Sequence, residues 1–247
     1  AFKKGFTPET VLWDVETNFG VSGAEPYQPE NYDEKFRGPV TFREALAQSI
    51  NLPSVKVLYL AGLPQTIKTA KDLGISTLNK SPFWYGLPLV LGGGEVKLLD
   101  MISAYGVFAT EGLRVSPVAI LKIEDPEGNI IEENKKTPKR VLNVQICRLI
   151  NDILSDNKAR TPLFGPRSVL YFKDYQVAAK TGTTQNYRDA WTIGYTPSIV
   201  VGVWAGNNDN SPMAQKPGVM LSAPIWARFM EKALVKYPKQ IVDIPVL

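Results

Sequence analysis

The 247-residue sequence contains no histidine, and this absence excludes several common kinds of catalytic site. Without an imidazole, the chain cannot supply its own Ser-His-Asp triad, Cys-His pair, histidine zinc site or histidine haem ligand. Its single cysteine, Cys147, excludes an internal disulfide and a cysteine-rich metal site. Any chemistry must therefore use lysine, serine, threonine, tyrosine and carboxylates, and we expect no metal and no cofactor.

Long hydrophobic runs and a strong net charge are also missing. No apolar stretch approaches the roughly 18 residues that are needed to span a bilayer. The 28 basic and 24 acidic residues leave a net charge of +4, and the one basic run, 134–140, contains no aromatic residues. We therefore expect a soluble, globular chain with no nucleic-acid partner, in which 134–140 is a solvated loop.

Turn residues and helix caps divide the first 155 residues. The segment 1–5 reads as the last turn of a helix closed by Gly5, so we expect more chain upstream, and 7–39 reads as an irregular surface excursion. Thr41-Phe42-Arg43-Glu44 forms a capping box that starts a helix running to about Ser49, before Leu52-Pro53. Further helices are predicted over about 54–61, 64–74, 98–109 and 143–154, the last running into a loop that contains proline and glycine.

The pattern changes to strands in the second half of the chain. A hairpin is predicted between 118–124 and 129–133, and three strands are predicted over 177–183, 190–195 and 199–205. A final helix is predicted from Pro224, with an apolar stripe that lies across the sheet. The last ten residues, 238–247, read as an exit linker.

Lys180-Thr181-Gly182-Thr183-Thr184 comes at the end of the first of these three strands. A lysine there offers a positive charge, two hydroxyls offer donors to a carboxylate, and glycine lets a substrate backbone lie against the strand. The alternative is a surface strand end with an ordinary lysine, because a Lys-Thr-Gly triple is easily met by chance.

Ser49-Ile50-Asn51 is the second candidate motif and falls where the first predicted helix ends. A Ser-x-Asn triple occurs about once by chance in a chain of this length. A rival, Ser155-Asp156-Asn157, also forms Ser-x-x-Lys with Lys158. We discount the rival because it lies at the polar end of an amphipathic helix and is close in sequence to Lys180, whereas a nucleophile should begin a buried helix.

Together these motifs resemble the transpeptidase domain of class A (bifunctional) penicillin-binding proteins. The segment 38–53 around Ser49-Ile50-Asn51 and the later Lys180-Thr181-Gly182 carry the resemblance. Further blocks agree in order and spacing: 91–96, 187–191, 194–197 and 203–206. The resemblance implies one transpeptidase domain over 1–237, incomplete at its N-terminus. It also implies an α/β fold of the α+β type, the penicillin-binding-protein and serine β-lactamase fold, with an antiparallel sheet flanked by helices and an all-helical lobe.

The first motif of that family, Ser-x-x-Lys with the acylated serine, is not found where the family has it. In relatives it lies shortly before the segment that matches 1–6, so we expect the serine and its lysine to lie upstream of Ala1. The 247 residues alone are then expected to form no acyl-enzyme. Sheet strands that precede the motif in relatives would also be absent, which predicts an unpaired sheet edge.

The resemblance also assigns roles to residues of the two motifs. Ser49 would relay a proton, Lys180 would supply positive potential, and the Thr183 backbone N–H would complete an oxyanion hole with the absent serine. These three are the expected catalytic residues. The expected substrate-binding residues are Asn51, Thr181, Gly182, Thr183, Thr184 and Tyr187.

The implied partners are D-Ala-D-Ala stem peptides of peptidoglycan, β-lactams, and an upstream glycosyltransferase domain. The parent would work at the outer face of the bacterial cytoplasmic membrane, held there only by its absent N-terminal part. Two alternatives stay open. One is a serine β-lactamase or D,D-carboxypeptidase, against which the 91–96 and 187–191 blocks argue, and the other is a catalytically dead muropeptide-binding or scaffold domain.

Overall fold

A computed structural model describes residues 1–20, 27–213 and 217–237. Its helices are α1 Phe42–Ala47, α2 Asn51–Ala61, α3 Leu63–Leu73, α4 Pro82–Tyr85, α5 Leu98–Ala109, α6 Val144–Ser155, α7 Asn157–Phe164 and α8 Gly218–Leu234. Its strands are β1 Val11–Asp14, β2 Gly38–Thr41, β3 Leu113–Arg114, β4 Lys122–Glu124, β5 Ile130–Glu133, β6 Lys139–Arg140, β7 Ala178–Thr183, β8 Asp189–Thr196 and β9 Ile199–Gly206. Three short 3-10 turns cover Phe2–Lys4, Leu87–Leu91 and Gln185–Tyr187.

The main sheet is antiparallel in the order β7-β8-β9, which confirms the three strands predicted after residue 176. Helix α8 packs on one face through Trp226 and Met230, and α5 and α6 cover the other face around Tyr195. Gly194 is needed on the α8 face because a Cβ there would lie 2.2 Å from Trp226 Cζ2. The predicted sheet flanked by helices is therefore observed. Among the described residues, β7 and β9 each pair only with β8 and are the two edges of this sheet.

The segment 7–39 was predicted to be irregular, and this was wrong at its two ends. Strands β1 and β2 pair with each other, with Leu12 opposite Val40 and Asp14 opposite Gly38. Leu12 and Val40 are buried with Phe42, so the pairing is stabilised by burial between segments far apart in sequence. The many turn residues of this segment obscured the strand pattern in the sequence. Pro39 is tolerated in β2 because both strands of a two-stranded ribbon are edge strands.

The predicted helices α1, α3, α5 and α6 are confirmed, including the capping box at Thr41 and Glu44. Helix α2 begins earlier than expected, at Asn51, because Pro53 lies in its first turn, where no intrahelical N–H bond is required. The loop expected after α6 is instead α7, whose first turn is capped by Asp156 through a 2.9 Å bond from the Ala159 N–H. Helix α8 begins at Gly218 rather than at Pro224, which lies inside it.

The remaining elements form the helical lobe and the periphery. Helices α3, α4 and α5 surround a second core that contains Ile67, Leu78 and Tyr85. The predicted hairpin is β4 and β5, and both strands are exposed. The basic run 134–140 is exposed throughout, and its last two residues pair as β6 with β3. The linker predicted at 238–247 lies outside the described residues. In the described part of the chain, no helix has the length and apolar character to cross a membrane.

Candidate functional site

The two motifs singled out in the sequence meet in the structure. Lys180 lies on β7, and its Nζ donates a hydrogen bond of 2.7 Å to Ser49 Oγ, although the residues are 131 positions apart. The same Nζ donates to the backbone carbonyl of Thr181 at 2.7 Å. A lysine held against a serine hydroxyl in this way can exchange a proton with it.

Ser49 has a backbone conformation that is unusual for serine. It follows α1 with a φ of 56°, in the left-handed region. The Ile50 N–H donates to the Ala45 carbonyl at 3.0 Å and the Ser49 N–H to the Leu46 carbonyl at 3.3 Å, the Schellman pattern that glycine usually closes. Holding a serine there costs roughly 1–2 kcal/mol. Such strain concentrates at functional sites, and here it accompanies the contact with Lys180.

The surroundings of Lys180 adjust its acidity. Burial, and to a smaller extent the charge of Arg160, lower the pKa of Lys180 from its ordinary 10.5 to about 8. Arg160 is itself buried and donates to the backbone carbonyls of Leu154 and Leu170. With a pKa near 8, Lys180 carries a proton at neutral pH and can still take part in proton transfer.

The end of β7 is held by the start of α8. The Gly218 N–H donates to Thr183 Oγ1 at 2.8 Å, so the Thr183 hydroxyl accepts this bond and keeps its own proton for another partner. A Cβ at Gly218 would lie 2.4 Å from the Gly182 carbonyl oxygen, so only glycine allows this approach. The positive end of the 17-residue helix α8 thereby faces the strand end. Gly218 is not predicted by the sequence, because no local pattern marks a contact made across 35 positions.

The predicted substrate-binding residue Thr184 takes part in a network within the protein. Its hydroxyl donates to Asp189 Oδ2 at 2.6 Å, and Trp204 Nε1 donates to Asp189 Oδ1 at 2.8 Å. A Cβ at Gly92 would lie 3.2 Å from the Thr184 methyl group, so the glycine block 91–96 reaches this end of the strand. Thr181 and Gly182 lie between Lys180 and this network on β7 and are half-buried.

Two further candidates connect to the segment 27–37. Asn51 Nδ2 donates to the Glu30 carbonyl at 3.0 Å. The hydroxyl groups of Tyr187 and Tyr32 lie 3.0 Å apart and share a hydrogen bond, which raises the pKa of Tyr32. The segment 27–37 was not among the predicted site residues, yet it contacts both the Ser49-Ile50-Asn51 motif and the turn after β7.

The rival motif has local partners. Ser155 Oγ accepts a bond of 3.1 Å from Gln176 Nε2, and Asp156 caps α7. Ser155 therefore links the end of α6 to the segment before β7, and Asp156 serves the junction between α6 and α7.

Comparison with known proteins identifies the family. The penicillin binding protein transpeptidase domain family matches residues 1–231. Penicillin-binding protein 1A of Aquifex aeolicus (strain VF5) is 34% identical over 247 residues, covering 99% of this chain and 33% of that protein. Penicillin-binding protein 2D of Bacillus subtilis (strain 168) is 32% identical over 253 residues, covering 99% of this chain and 36% of that protein. The chain thus spans about a third of the length of these curated relatives.

Solved structures agree on the fold. Penicillin-binding protein 1A from Haemophilus influenzae superposes with a TM-score of 0.85 at 23% identity, covering 97% of this chain and 41% of that one. PonA1 from Mycobacterium tuberculosis, in complex with penicillin V, gives a TM-score of 0.84 at 23% identity, covering 99% of this chain and 68% of that one. The fold expected from the resemblance is confirmed, and the chain belongs to the penicillin-binding protein transpeptidase domain family, of the class A type.

Proposed function

We propose that this chain is the D,D-transpeptidase domain of a protein that cross-links peptidoglycan stem peptides through a serine acyl-enzyme and is a target of β-lactams. The observation that carries the proposal is the 2.7 Å hydrogen bond between Lys180 Nζ and Ser49 Oγ, made between two motifs 131 positions apart. We further propose that the acylated serine comes from a part of the protein outside these 247 residues, since the chain spans about a third of its relatives.

The proposed reaction has two covalent steps. The serine oxygen attacks the carbonyl carbon between the two D-alanines, its proton passes to the leaving nitrogen, and the terminal D-Ala departs as an amine. A second amine then attacks the ester, the serine recovers a proton, and the cross-link forms. In both steps Ser49 relays the proton, and protonated Lys180 holds positive potential beside it.

Strand β7 supplies the binding groups in this proposal. The hydroxyls of Thr181 and Thr183 donate to the terminal carboxylate of the stem peptide, whose charge Lys180 complements. The Thr183 backbone N–H stabilises the oxyanion, and loss of one such donor typically costs about 3–4 kcal/mol of barrier. Asn51 holds a substrate amide opposite the strand, while Gly182, Thr184 and Tyr187 shape the rest of the cleft.

We also propose the wider setting that class A relatives suggest. The parent protein would carry a glycosyltransferase domain and a membrane anchor outside this chain, and the transpeptidase domain would work at the outer face of the cytoplasmic membrane. The length of the curated relatives, about three times that of this chain, leaves room for both.

Labelling with fluorescent penicillin tests the proposal. The 247 residues alone should stay unlabelled, and the parent protein that includes the upstream sequence should form a stable covalent adduct. A folded parent that is never labelled, yet binds muropeptides, would instead support the scaffold alternative. An adduct that is hydrolysed within seconds would support a β-lactamase.

A further inference from the structure

Helix α2 begins without a capping side chain of its own. Its N-cap residue is Ile50, whose apolar side chain accepts no hydrogen bond and is buried with Leu12 and Phe42. The Leu52 N–H in the first turn is nevertheless satisfied, because Asn31 Oδ1 accepts it at 3.0 Å from 21 positions upstream. The cap that a local Ser, Thr, Asp or Asn normally provides is here supplied by a distant residue.

Asn31 is itself held by a buried carboxylate. Asn31 is 4% exposed, and Asp14, the last residue of β1, is 0% exposed. Asn31 Nδ2 donates to Asp14 Oδ1 at 2.8 Å, to Asp14 Oδ2 at 3.0 Å and to the Lys35 carbonyl at 2.8 Å. Since the amide nitrogen faces only acceptors and the amide oxygen faces a donor, one orientation of the Asn31 side chain satisfies every contact.

The buried charge of Asp14 is compensated on its other side. The Arg37 N–H donates to Asp14 Oδ2 at 3.1 Å, and the Arg37 guanidinium lies 3.6 Å from the same oxygen. A buried carboxylate with hydrogen bonds and a nearby cation is costly to displace. It therefore provides a fixed point from which Asn31 reaches α2.

Asn31 fixes the start of α2, the helix that begins within the Ser49-Ile50-Asn51 motif. Asn51 is the first residue of α2, and its side chain is tied to the Glu30 carbonyl next to Asn31. Ser49 precedes the helix by two residues and must stay within hydrogen-bond distance of Lys180. A small shift of the first turn of α2 therefore changes the position of Ser49 relative to β7.

We propose that Asn31 and Asp14 form a positioning pair that holds Ser49-Ile50-Asn51 in place against Lys180. Neither residue contacts Lys180, and each acts through α2. The effect on catalysis rests on the proposed transpeptidase function, whereas the effect on the distance between Ser49 and Lys180 does not.

The decisive comparison is Asn31→Ala with Asn151→Ala in the parent protein that includes the upstream sequence. Asn151 is 3% exposed, donates to the Phe108 carbonyl and accepts from the Tyr195 hydroxyl, so it resembles Asn31 in burial and in having both amide atoms bonded, but its bonds are to α5 and β8 instead of α2. Asn31→Ala should lower the penicillin acylation rate constant at saturation by about 10- to 100-fold, with little change in non-covalent affinity, because misplacement by about 1 Å costs rate rather than binding. Asn151→Ala should change it less than about threefold on the same reasoning. Equal losses in both variants, or a loss confined to affinity, would overturn the positioning role.

A milder variant covers the case in which Asn31→Ala does not fold. Asp14→Asn keeps the shape of the side chain but replaces one carboxylate oxygen with an NH2 group. Both oxygens of Asp14 accept from Asn31, so Asn31 loses one acceptor. It should slow acylation by about threefold to tenfold, between the two alanine variants. An unchanged rate would contradict the role of Asp14.

A structural readout separates this inference from the proposed function. In crystals of the 247-residue chain carrying Asn31→Ala, or Asp14→Asn if that variant alone folds, Ser49 Oγ should lie beyond about 3.5 Å from Lys180 Nζ. An unmoved Ser49 refutes the positioning pair even if the parent is acylated. If the wild-type parent is never acylated, the proposed function fails, and the crystal distance still decides the inference.

Discussion

The two sides of the site are held by different kinds of structure. Lys180 lies in the middle of β7, which pairs with β8 from Ala178 opposite Tyr195 to Thr183 opposite Ala190. Ser49 lies in a turn between two helices, at a positive φ. A regular ladder of backbone hydrogen bonds orients the first residue, and the second depends on a strained turn and on the distant cap from Asn31.

This difference shows how stability and function are distributed in the domain. On the β7 side, many equivalent backbone bonds share the task of orientation, so a single substitution disturbs the site mainly by removing its own side chain. On the Ser49 side, a few specific contacts set the geometry. Substitutions of residues that do not contact Lys180 can therefore alter activity on this side. The backbone strain at Ser49 and its contribution to activity can be separated by experiment.

The largest expected effect comes from Lys180→Met in the parent protein. The substitution removes the positive charge beside Ser49, so penicillin acylation should fall by at least about 100-fold. In the wild type, the acylation rate should fall as pH rises through about 8, because Lys180 then loses its proton. The residual acylation rate of Lys180→Met should not decline in this pH range. If the wild type and Lys180→Met showed the same decline, a group other than Lys180 would be responsible for it.

Lys180 should also appear in the pH dependence of folding stability. Its pKa is about 8 when folded and 10.5 ordinarily, so between these values the unfolded chain binds more protons. The free energy of unfolding of the wild type, measured relative to Lys180→Met, should therefore rise by up to about 3 kcal/mol from pH 8 to 10.5. Urea unfolding of both proteins across this range measures the difference, and a fall would contradict the lowered pKa of Lys180.

A smaller effect separates strain from chemistry at Ser49. Ser49→Gly and Ser49→Ala both remove the hydroxyl, so both should slow acylation by about 10- to 100-fold. Only glycine relieves the positive φ, so Ser49→Gly should be about 1 kcal/mol more stable than Ser49→Ala in urea unfolding. Equal stability would mean that the turn is not strained, and full activity of Ser49→Ala would exclude the proton relay.

The smallest effect on acylation is expected at Gly218, which supports the β7 side. Gly218→Ala places a Cβ 2.4 Å from the Gly182 carbonyl oxygen, so α8 must move away and Thr183 loses the bond to its hydroxyl. We expect a loss of stability of about 1–3 kcal/mol and a decrease in acylation of less than about tenfold. Gly106→Ala in α5 is the control, because apart from its chain neighbours and the nearby backbone of α5 no heavy atom lies within 4 Å of the added Cβ. The control should be neutral or stabilising in thermal unfolding, and equal destabilisation by both would remove the special role of Gly218.

Sequence patterns anticipated the elements that local contacts stabilise. The capping box is one, since the Thr41 N–H donates to Glu44 Oε2 at 2.8 Å within a single turn. Strands β7, β8 and β9 are another, joined by short connections. The pairing of β1 with β2, the cap from Asn31 and the contact of Gly218 with Thr183 were not anticipated, because each joins segments more than 20 positions apart.

The sequence by itself determined which chemistry is open to this protein. The absence of histidine leaves lysine, serine, threonine, tyrosine and carboxylates for any chemistry, and the two motifs predict Ser49 as a proton relay and Lys180 as a source of positive potential. Tertiary structure decided whether these two residues meet. The 2.7 Å contact, the positive φ of Ser49 and the lowered pKa of Lys180 arise from packing β7 against the turn between α1 and α2. The distance between Lys180 and Ser49 and the desolvation of Lys180 depend on the residues that surround them in space. Their neighbours along the chain specify neither quantity.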